Sequence, residues 1–200
     1  MIETFPAIIP AAGRSSRMGT PKALLDAGGL TFLARVMASL REGGSGPLLV
    51  VVRKLDSPLA TEARFGGAQV VLNPDPSQGP ISSLQAGIRA LPEGAGAVFL
   101  APVDHPLFSS ATVRALAHGF GQERPPLAVP ALGGRRGHPV LLGSCLFPEL
   151  LEKNLPQGAR TVLRRYLGDR LEVPVQDPGI LADIDTPEEY ERYFPSGPSE

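Results

Sequence analysis

The chain has 200 residues, of which 42% are hydrophobic and 20% are charged, as in an ordinary globular protein. Its formal net charge of −1 supplies no general positive field, so we expect neither nucleic acid nor an anionic membrane as a partner. Any anion site must therefore be built locally. The single cysteine, Cys145, excludes an intrachain disulfide and a multi-cysteine metal site, and its apolar surroundings predict a buried structural thiol.

The N-terminus, Met1 to Phe5, lacks the basic region and the long apolar run of a signal peptide. No stretch approaches the roughly 18 uninterrupted apolar residues of a membrane span. We therefore expect a cytoplasmic protein. Neither a repeat nor an internal linker divides the sequence, which predicts one domain over residues 1–194, followed by a flexible tail at 195–200.

Short apolar runs alternate with amphipathic stretches along the chain. The predicted strands are Ala7–Pro10, Leu48–Arg53, Gln69–Leu72, Ala97–Pro102, Leu127–Ala131, Pro139–Leu142 and Leu171–Val175. The predicted helices are Thr31–Leu40, Ser57–Phe65, Ile81–Leu91, Ala111–His118, Arg160–Leu167 and Pro187–Tyr193. Strands that are apolar at every position are typical of a sheet covered on both faces. This order predicts an α/β fold of three layers, αβα, with a mostly parallel, Rossmann-like sheet.

In such sheets, ligands bind beyond the carboxyl ends of the strands. The loops to inspect are therefore those after Ile9, Leu72, Leu100 and Leu142. The first, from Pro10 to Lys22, combines small residues with three cations, and its backbone N–H groups suit a triphosphate. It fits neither a P-loop nor a dinucleotide fingerprint, because five residues separate Gly13 from Gly19 and Lys22 follows later.

This first loop resembles the signature loop of the nucleotidyltransferases that act on molybdenum cofactor, with its small-small-Gly start, Arg-Met-Gly and a later lysine. The resemblance runs from residue 7 to about 193 and extends more distantly to transferases of the nucleotide-diphospho-sugar type. It implies that Arg17 and Lys22 act in catalysis by neutralising the α-phosphate and the leaving pyrophosphate. The nucleotide-binding residues that it implies here are Ala11, Ala12, Gly13, Arg14 and Lys22.

Asp104 follows the apolar run Ala97–Leu100 and lies in the sequence Pro-Val-Asp-His-Pro-Leu. Mg²⁺ prefers one or two carboxylates together with phosphate oxygens and water. A turn or helix-capping aspartate before Pro106 explains the residue equally well on its own. The resemblance implies that this is the metal-binding loop, with Asp104 as a catalytic Mg²⁺ ligand. His105 stands where the family often has methionine, and both substrate contact and simple exposure stay open for it.

Two further carboxylates, Asp183 and Asp185, are separated by one residue near the end of the chain. An extended backbone places both on one face, with Ile184 on the other. Either aspartate can complete the Mg²⁺ site, although Asp185 also suits the N-terminus of a helix. Related transferases supply their second ligand from this segment, and we prefer Asp183 with Asp185 as the alternative.

The segment from Asn73 to Leu84 resembles the family's base-recognition loop, although its serines also suit a helix N-terminus. The nucleobase contacts implied there are Asn73, Gly79 and Ser83. The basic segment from Gly133 to Leu142 is typical of a solvated hairpin tip, and its Gly-His-Pro also resembles the acceptor-side motif of the cytidylyl branch. The acceptor-binding residues implied there are Arg135, Arg136, Gly137 and His138.

Together these motifs imply a Mg²⁺-dependent enzyme that transfers CMP from CTP to the phosphate of a molybdopterin-type acceptor and releases pyrophosphate. Ala11-Ala12 and Gly-His-Pro favour CTP, whereas the guanylyl branch more often has Gly-Gly before Gly13, and GTP is the first alternative. Sugar or polyol phosphates are alternative acceptors, and a molybdoenzyme or its chaperone is a further expected partner. A cofactor-binding regulatory module is the non-enzyme alternative, which the carboxylates disfavour.

Overall fold

The computed structural model describes residues 4–13 and 21–195. Its strands are β1 (Ala7–Pro10), β2 (Leu48–Val52), β3 (Gln69–Leu72), β4 (Ala97–Leu100), β5 (Leu127–Leu132), β6 (Arg135–Arg136), β7 (Val140–Gly143) and β8 (Leu171–Pro174). Its α-helices are α1 (Phe32–Glu42), α2 (Pro58–Phe65), α3 (Pro80–Arg89), α4 (Ser110–Glu123), α5 (Phe147–Leu150), α6 (Ala159–Leu163) and α7 (Pro187–Tyr193). Among the described residues, no helix is long and apolar enough to cross a membrane.

The strands form one sheet in the order β3-β2-β1-β4-β7-β5-β6, with β8 paired to β5. Strand β1 runs parallel to both β2 and β4, β2 runs parallel to β3, and β5 runs parallel to β8. Strand β7 runs antiparallel to its neighbours β4 and β5. The prediction of a mostly parallel sheet is therefore confirmed.

Strand β2 shows how the sheet becomes the middle of three layers. Leu48, Val50 and Val52 belong to a core cluster that contains residues of α1, α2 and α4. Leu49 and Val51 belong to a second cluster, which contains residues of α3, α5 and α6. Because successive side chains of a strand point to opposite faces, the two clusters lie on opposite sides of the sheet. The predicted αβα arrangement is confirmed.

Two expectations about the end of β7 were wrong. Because β7 is antiparallel to β4, the loop after Leu142 lies at the edge opposite to the one where β1, β3 and β4 end. The start of β7, which follows His138, lies at the ligand-binding edge instead. Cys145 is exposed rather than buried, since the 3₁₀ turn Ser144–Leu146 directs Leu146 into the core in its place.

The segment between β8 and α7 packs between the loop after β4 and the loop before β7. The Ile184 N–H donates to the Asp104 carbonyl at 2.9 Å, and the His138 N–H donates to the Ile180 carbonyl at 3.0 Å. Ile180 and Ile184 are fully buried. A Cβ added to Gly179 would lie 1.9 Å from the Leu107 carbonyl oxygen, so the backbones approach more closely than any other residue permits.

Asp177 fixes the start of this segment. Its carboxylate accepts hydrogen bonds from the Ser109 N–H at 2.7 Å, the Thr112 hydroxyl at 2.6 Å and the Gly179 N–H at 3.0 Å. Ser109 is itself the N-cap of α4. The segment is thereby joined to the beginning of the helix that follows the Asp104 loop.

Helix α7 fixes the other end of the segment. Thr186 caps the helix in a capping box with Glu189, in agreement with its place before Pro187. Tyr190 and Phe194 then pack on Phe32 of α1, with ring centroids 6.1 and 5.8 Å from the Phe32 ring. Residues 177–185 are therefore held at both ends.

We predict that Asp177→Ala lowers the free energy of unfolding by about 3 kcal/mol, because it removes three hydrogen bonds to a charged acceptor. Urea unfolding at pH 7 measures the change. Asp169→Ala, at an exposed carboxylate, is the matched control and should change the value by less than about 0.5 kcal/mol. Equal effects of the two substitutions would contradict the role given to Asp177.

Candidate active site

The described residues bring three potential metal ligands together at the carboxyl edge of the sheet. Asp104 and His105 follow β4 in a turn that is closed by the His105 N–H and the Pro102 carbonyl, 3.1 Å apart. Asp183 arrives from the segment after β8. One ligand atom from each of Asp104, His105 and Asp183 lies within 4.8 Å of the others. Atoms on opposite sides of one bound dication are about 4 Å apart, so small side-chain movements suffice to share an ion.

Several buried polar atoms at this cluster have no hydrogen-bond partner among the described residues. Within the described part of the chain, no hydrogen-bond partner reaches Asp104 Oδ1, His105 Nδ1 or His138 Nδ1. Leaving such an atom unpaired costs about 1–3 kcal/mol, and most buried polar atoms in proteins are paired. The residues present therefore fit a divalent cation with its oxygen ligands.

The electrostatics of the cluster also favour a cation. Burial raises the pKa of Asp104, and the Lys22 ammonium partly offsets this rise. Burial, followed by the charges of Asp104 and Asp185, raises the pKa of Asp183 to about 6. Three carboxylates thus gather near one ammonium, and a dication would neutralise their mutual repulsion.

Two imidazoles border the carboxylates. The rings of His105 and His138 lie with their centroids 4.6 Å apart. Burial lowers the pKa of each histidine to about 4, so both are neutral at pH 7. Gly137 lets His138 reach this position, because an added Cβ there would lie 2.0 Å from the Ile180 carbonyl oxygen. Of the predicted acceptor residues, Gly137 and His138 therefore lie at the site.

Arg135 and Arg136 lie farther out, in strand β6 of the hairpin that β5 and β6 form. Gly133 and Gly134 form its two-residue turn with φ of +57° and +79°, values that suit a tight hairpin. Both arginines are exposed, and the Arg136 Nε donates to Glu172 Oε1 at 2.7 Å. The predicted acceptor set is thus divided between a buried part and an exposed hairpin.

Lys22 connects the first loop to the end of the chain. It begins the 3₁₀ turn Lys22–Leu24, and its ammonium donates a hydrogen bond to Asp185 Oδ1. Of the two candidate second ligands, Asp183 thus lies with Asp104, whereas Asp185 lies with Lys22. Arg14 and Arg17, which the sequence assigns to nucleotide binding and catalysis, lie outside the described residues.

The described part of the nucleotide loop continues β1. The Ala11 N–H donates to the Val51 carbonyl at 2.9 Å, and Ala12 is buried. Gly13 is exposed, and no described atom lies within 4 Å of a Cβ added there. The loop therefore presents backbone to open space at the edge where the carboxylates gather.

The predicted base-recognition loop is held by its own side chains. The buried Asn73 amide donates to the hydroxyls of Ser82 and Ser83, at 2.9 and 3.0 Å, and its oxygen accepts from the Asp75 N–H. Gly79, with φ of +82°, is the N-cap residue of α3. Asn73 and Ser83 thus shape this loop. An open cavity of about 820 Å³ adjoins it, with a polar lining that includes Asn73, Asp75, Gln78, Arg89 and Lys153.

Sequence reasoning left His105 open between substrate contact and simple exposure, and it missed the supporting residue Asp177. The signal for His105 was an Asp-His-Pro sequence directly after a buried strand, with a second X-His-Pro sequence at His138. The signal for Asp177 was the turn-forming Asp-Pro-Gly sequence. Each residue gains its role only from a partner that is distant in sequence.

We predict that Asp183→Asn raises the melting temperature of the metal-free protein at pH 8. The pKa of Asp183 is about 6 in the folded protein, against an ordinary value of 3.8, so ionisation of its carboxylate opposes folding. That cost is complete above pH 6 and disappears as the pH falls towards 4. Thermal unfolding with a chelator at pH 8 and pH 4.5 should show a gain that shrinks at the lower pH. The exposed Asp169→Asn is the control, and an unchanged melting temperature at pH 8 would contradict the prediction.

Comparison with known proteins agrees with this geometry. Residues 7–171 match the MobA-like NTP transferase domain. The chain is 28% identical over 191 residues to a molybdenum cofactor cytidylyltransferase of Escherichia coli. That alignment covers 93% of this chain and 95% of that protein. The chain is 33% identical over 202 residues to a phosphoenolpyruvate guanylyltransferase of Rubrobacter xylanophilus, which covers 96% and 94% respectively.

A solved structure has the same architecture. Rv0371c of Mycobacterium tuberculosis matches with a TM-score of 0.80 at 26% identity, over 95% of this chain and 97% of that one. A structure of Rv0371c in complex with manganese matches with a TM-score of 0.76 at 24% identity, over 97% and 100%. Since the matched domain covers most of the sequence, the chain belongs to the MobA-like NTP transferase family, whose members transfer nucleotidyl groups.

Proposed function

We propose that this enzyme transfers CMP from CTP to the terminal phosphate of a molybdopterin-type acceptor, using Mg²⁺ and releasing pyrophosphate. The observation that carries the proposal is the approach of Asp104 and Asp183 at the edge of the sheet where the Ala11–Gly13 loop ends β1. Carboxylates beside a phosphate-binding loop suit the joint binding of a dication and a triphosphate.

In the proposed reaction, an oxygen of the acceptor phosphate attacks the α-phosphorus of CTP. The bond from the α-phosphorus to the oxygen bridging it to the β-phosphate breaks, and pyrophosphate leaves. Asp104 and Asp183 hold the cation, which neutralises phosphate charge when bound. Lys22, with Arg14 and Arg17 from the loop outside the described residues, adds positive charge where negative charge develops. Such chemistry depends on positioning and charge, so a nucleophilic serine or cysteine is not needed.

The choice of CTP is supported by Ala11-Ala12, by Gly-His-Pro at 137–139 and by the likeness to a cytidylyltransferase along the whole chain. GTP is the alternative, supported by 33% identity to a guanylyltransferase of similar length. That protein's name also makes a small phosphorylated acid a second candidate acceptor. We further propose that a molybdoenzyme or its chaperone receives the product.

We predict that purified protein with Mg²⁺ and molybdopterin releases pyrophosphate with CTP, and that Asp104→Asn lowers kcat/KM by about 10²-fold or more. The assay compares CTP, GTP, ATP and UTP, each with molybdopterin and with phosphoenolpyruvate. Asp169→Asn, far from the cluster in sequence and exposed, serves as the control. Release with GTP alone would move the enzyme to the guanylyl branch, and release with no combination would overturn the proposal.

Asp183 and Asp185 give a second test, because among the described residues Asp183 and not Asp185 shares a three-ligand group with Asp104. We predict that Asp183→Asn weakens Mn²⁺ binding by about tenfold or more, a typical loss when a metal site is perturbed. Asp185→Asn should leave the affinity within about threefold, since its carboxylate contacts Lys22. Calorimetric titration of the metal-free variants measures both. A larger loss for Asp185→Asn would reverse the assignment.

A further inference from the structure

We propose that His105 is a direct ligand of the metal, so that the site binds a first-row transition-metal dication in preference to Mg²⁺. The proposal shares with the proposed function the presence of a dication beside Asp104 and Asp183. It adds a nitrogen ligand to a site that the sequence assigned to carboxylates alone.

The position of the His105 imidazole supports ligation of a metal ion. His105 Nε2 lies 3.9 Å from Asp183 Oδ1, which is too far for a hydrogen bond. It is a normal separation for two atoms bound to one ion, because metal–ligand bonds of about 2.1 Å place such atoms roughly 3–4 Å apart. Asp104 contributes the third atom of the group. Binding of both atoms to one metal ion therefore explains the distance between His105 Nε2 and Asp183 Oδ1, whereas a hydrogen bond does not.

The surroundings of the His105 ring fix its position. The side chain of His105 is only 13% exposed, and its ring lies against the ring of His138. His105 Nε2, and not Nδ1, is the nitrogen that lies towards Asp183. Packing on the ring of His138 therefore holds the imidazole at the cluster with Nε2 on the side of Asp183.

The ligand set decides which cation is favoured. Mg²⁺ prefers an octahedron of oxygen atoms and binds through carboxylates, phosphates and water. An imidazole nitrogen instead favours transition metals, whose affinity for mixed nitrogen and oxygen sites rises from Mn²⁺ towards Cu²⁺. Two carboxylates and one imidazole also leave coordination positions open on a six-coordinate ion. Those positions remain available to phosphate oxygens and water.

The test uses Mn²⁺, which is paramagnetic, on metal-free full-length protein. Pulsed electron paramagnetic resonance detects a nitrogen atom bonded directly to Mn²⁺. The chain has three histidines, at 105, 118 and 138, so three variants identify the source. They are His105→Met, His138→Gln and the control His118→Gln, which alters an exposed residue on α4.

We expect nitrogen coupling in the wild type and in His118→Gln and His138→Gln, and its loss in His105→Met. Calorimetry should show that His105→Met weakens Mn²⁺ binding by at least about tenfold and Mg²⁺ binding by less. Circular dichroism confirms folding of each variant. Absence of nitrogen coupling in the wild type would overturn the proposal without any variant. Coupling that is lost only in His138→Gln would also overturn it.

The pyrophosphate assay separates this proposal from the proposed function. Nitrogen coupling without pyrophosphate release from any nucleotide would support the ligand and reject the transfer reaction. Pyrophosphate release without nitrogen coupling would support the reaction and reject His105 as a ligand.

Discussion

The hydrogen bond from the Ile184 N–H to the Asp104 carbonyl is the contact on which the site depends. It joins the loop after β4 to the segment after β8 and sets Asp183 beside Asp104. The resulting crowding of carboxylates opposes folding, as the raised pKa of Asp183 indicates. The hydrogen bonds of Asp177 and the burial of Ile180 and Ile184 offset that repulsion. The stabilising contacts therefore lie on both sides of Asp183 along the chain.

Much of the fold could be predicted because local sequence determines it. The apolar residues of β2 indicated a sheet covered on both faces, and the burial of Ile184 followed from its alternation with Asp183 and Asp185. The direction of β7 could not be predicted, since an apolar strand has the same pattern in either direction. That error added the loop after Leu142 to the candidate ligand loops, although the resemblance had already marked Gly137 and His138 before this strand. The choice between the two readings of His105 stayed open for a similar reason, because its neighbours Asp183 and His138 come from distant segments.

The predicted acceptor motif has two physically different parts. Arg135 and Arg136 are exposed on a tight hairpin, whereas His138 is buried next to His105. Only one residue, Gly137, separates the parts, and close packing on the Ile180 carbonyl fixes it. On the nucleotide side, Asn73 plays a comparable structural part by holding its loop against α3.

The ion pair between Lys22 and Asp185 ties the end of the first loop to the segment between β8 and α7. A chain cut after β8 keeps all eight strands of the described sheet, and with them the whole region that matches the family. It lacks Asp183 and Asp185. Such a fragment also loses Asp177, Ile180 and Ile184, whose contacts hold the loop after β4. The region that matches the family therefore depends on a segment outside that match to fix its Asp104 loop.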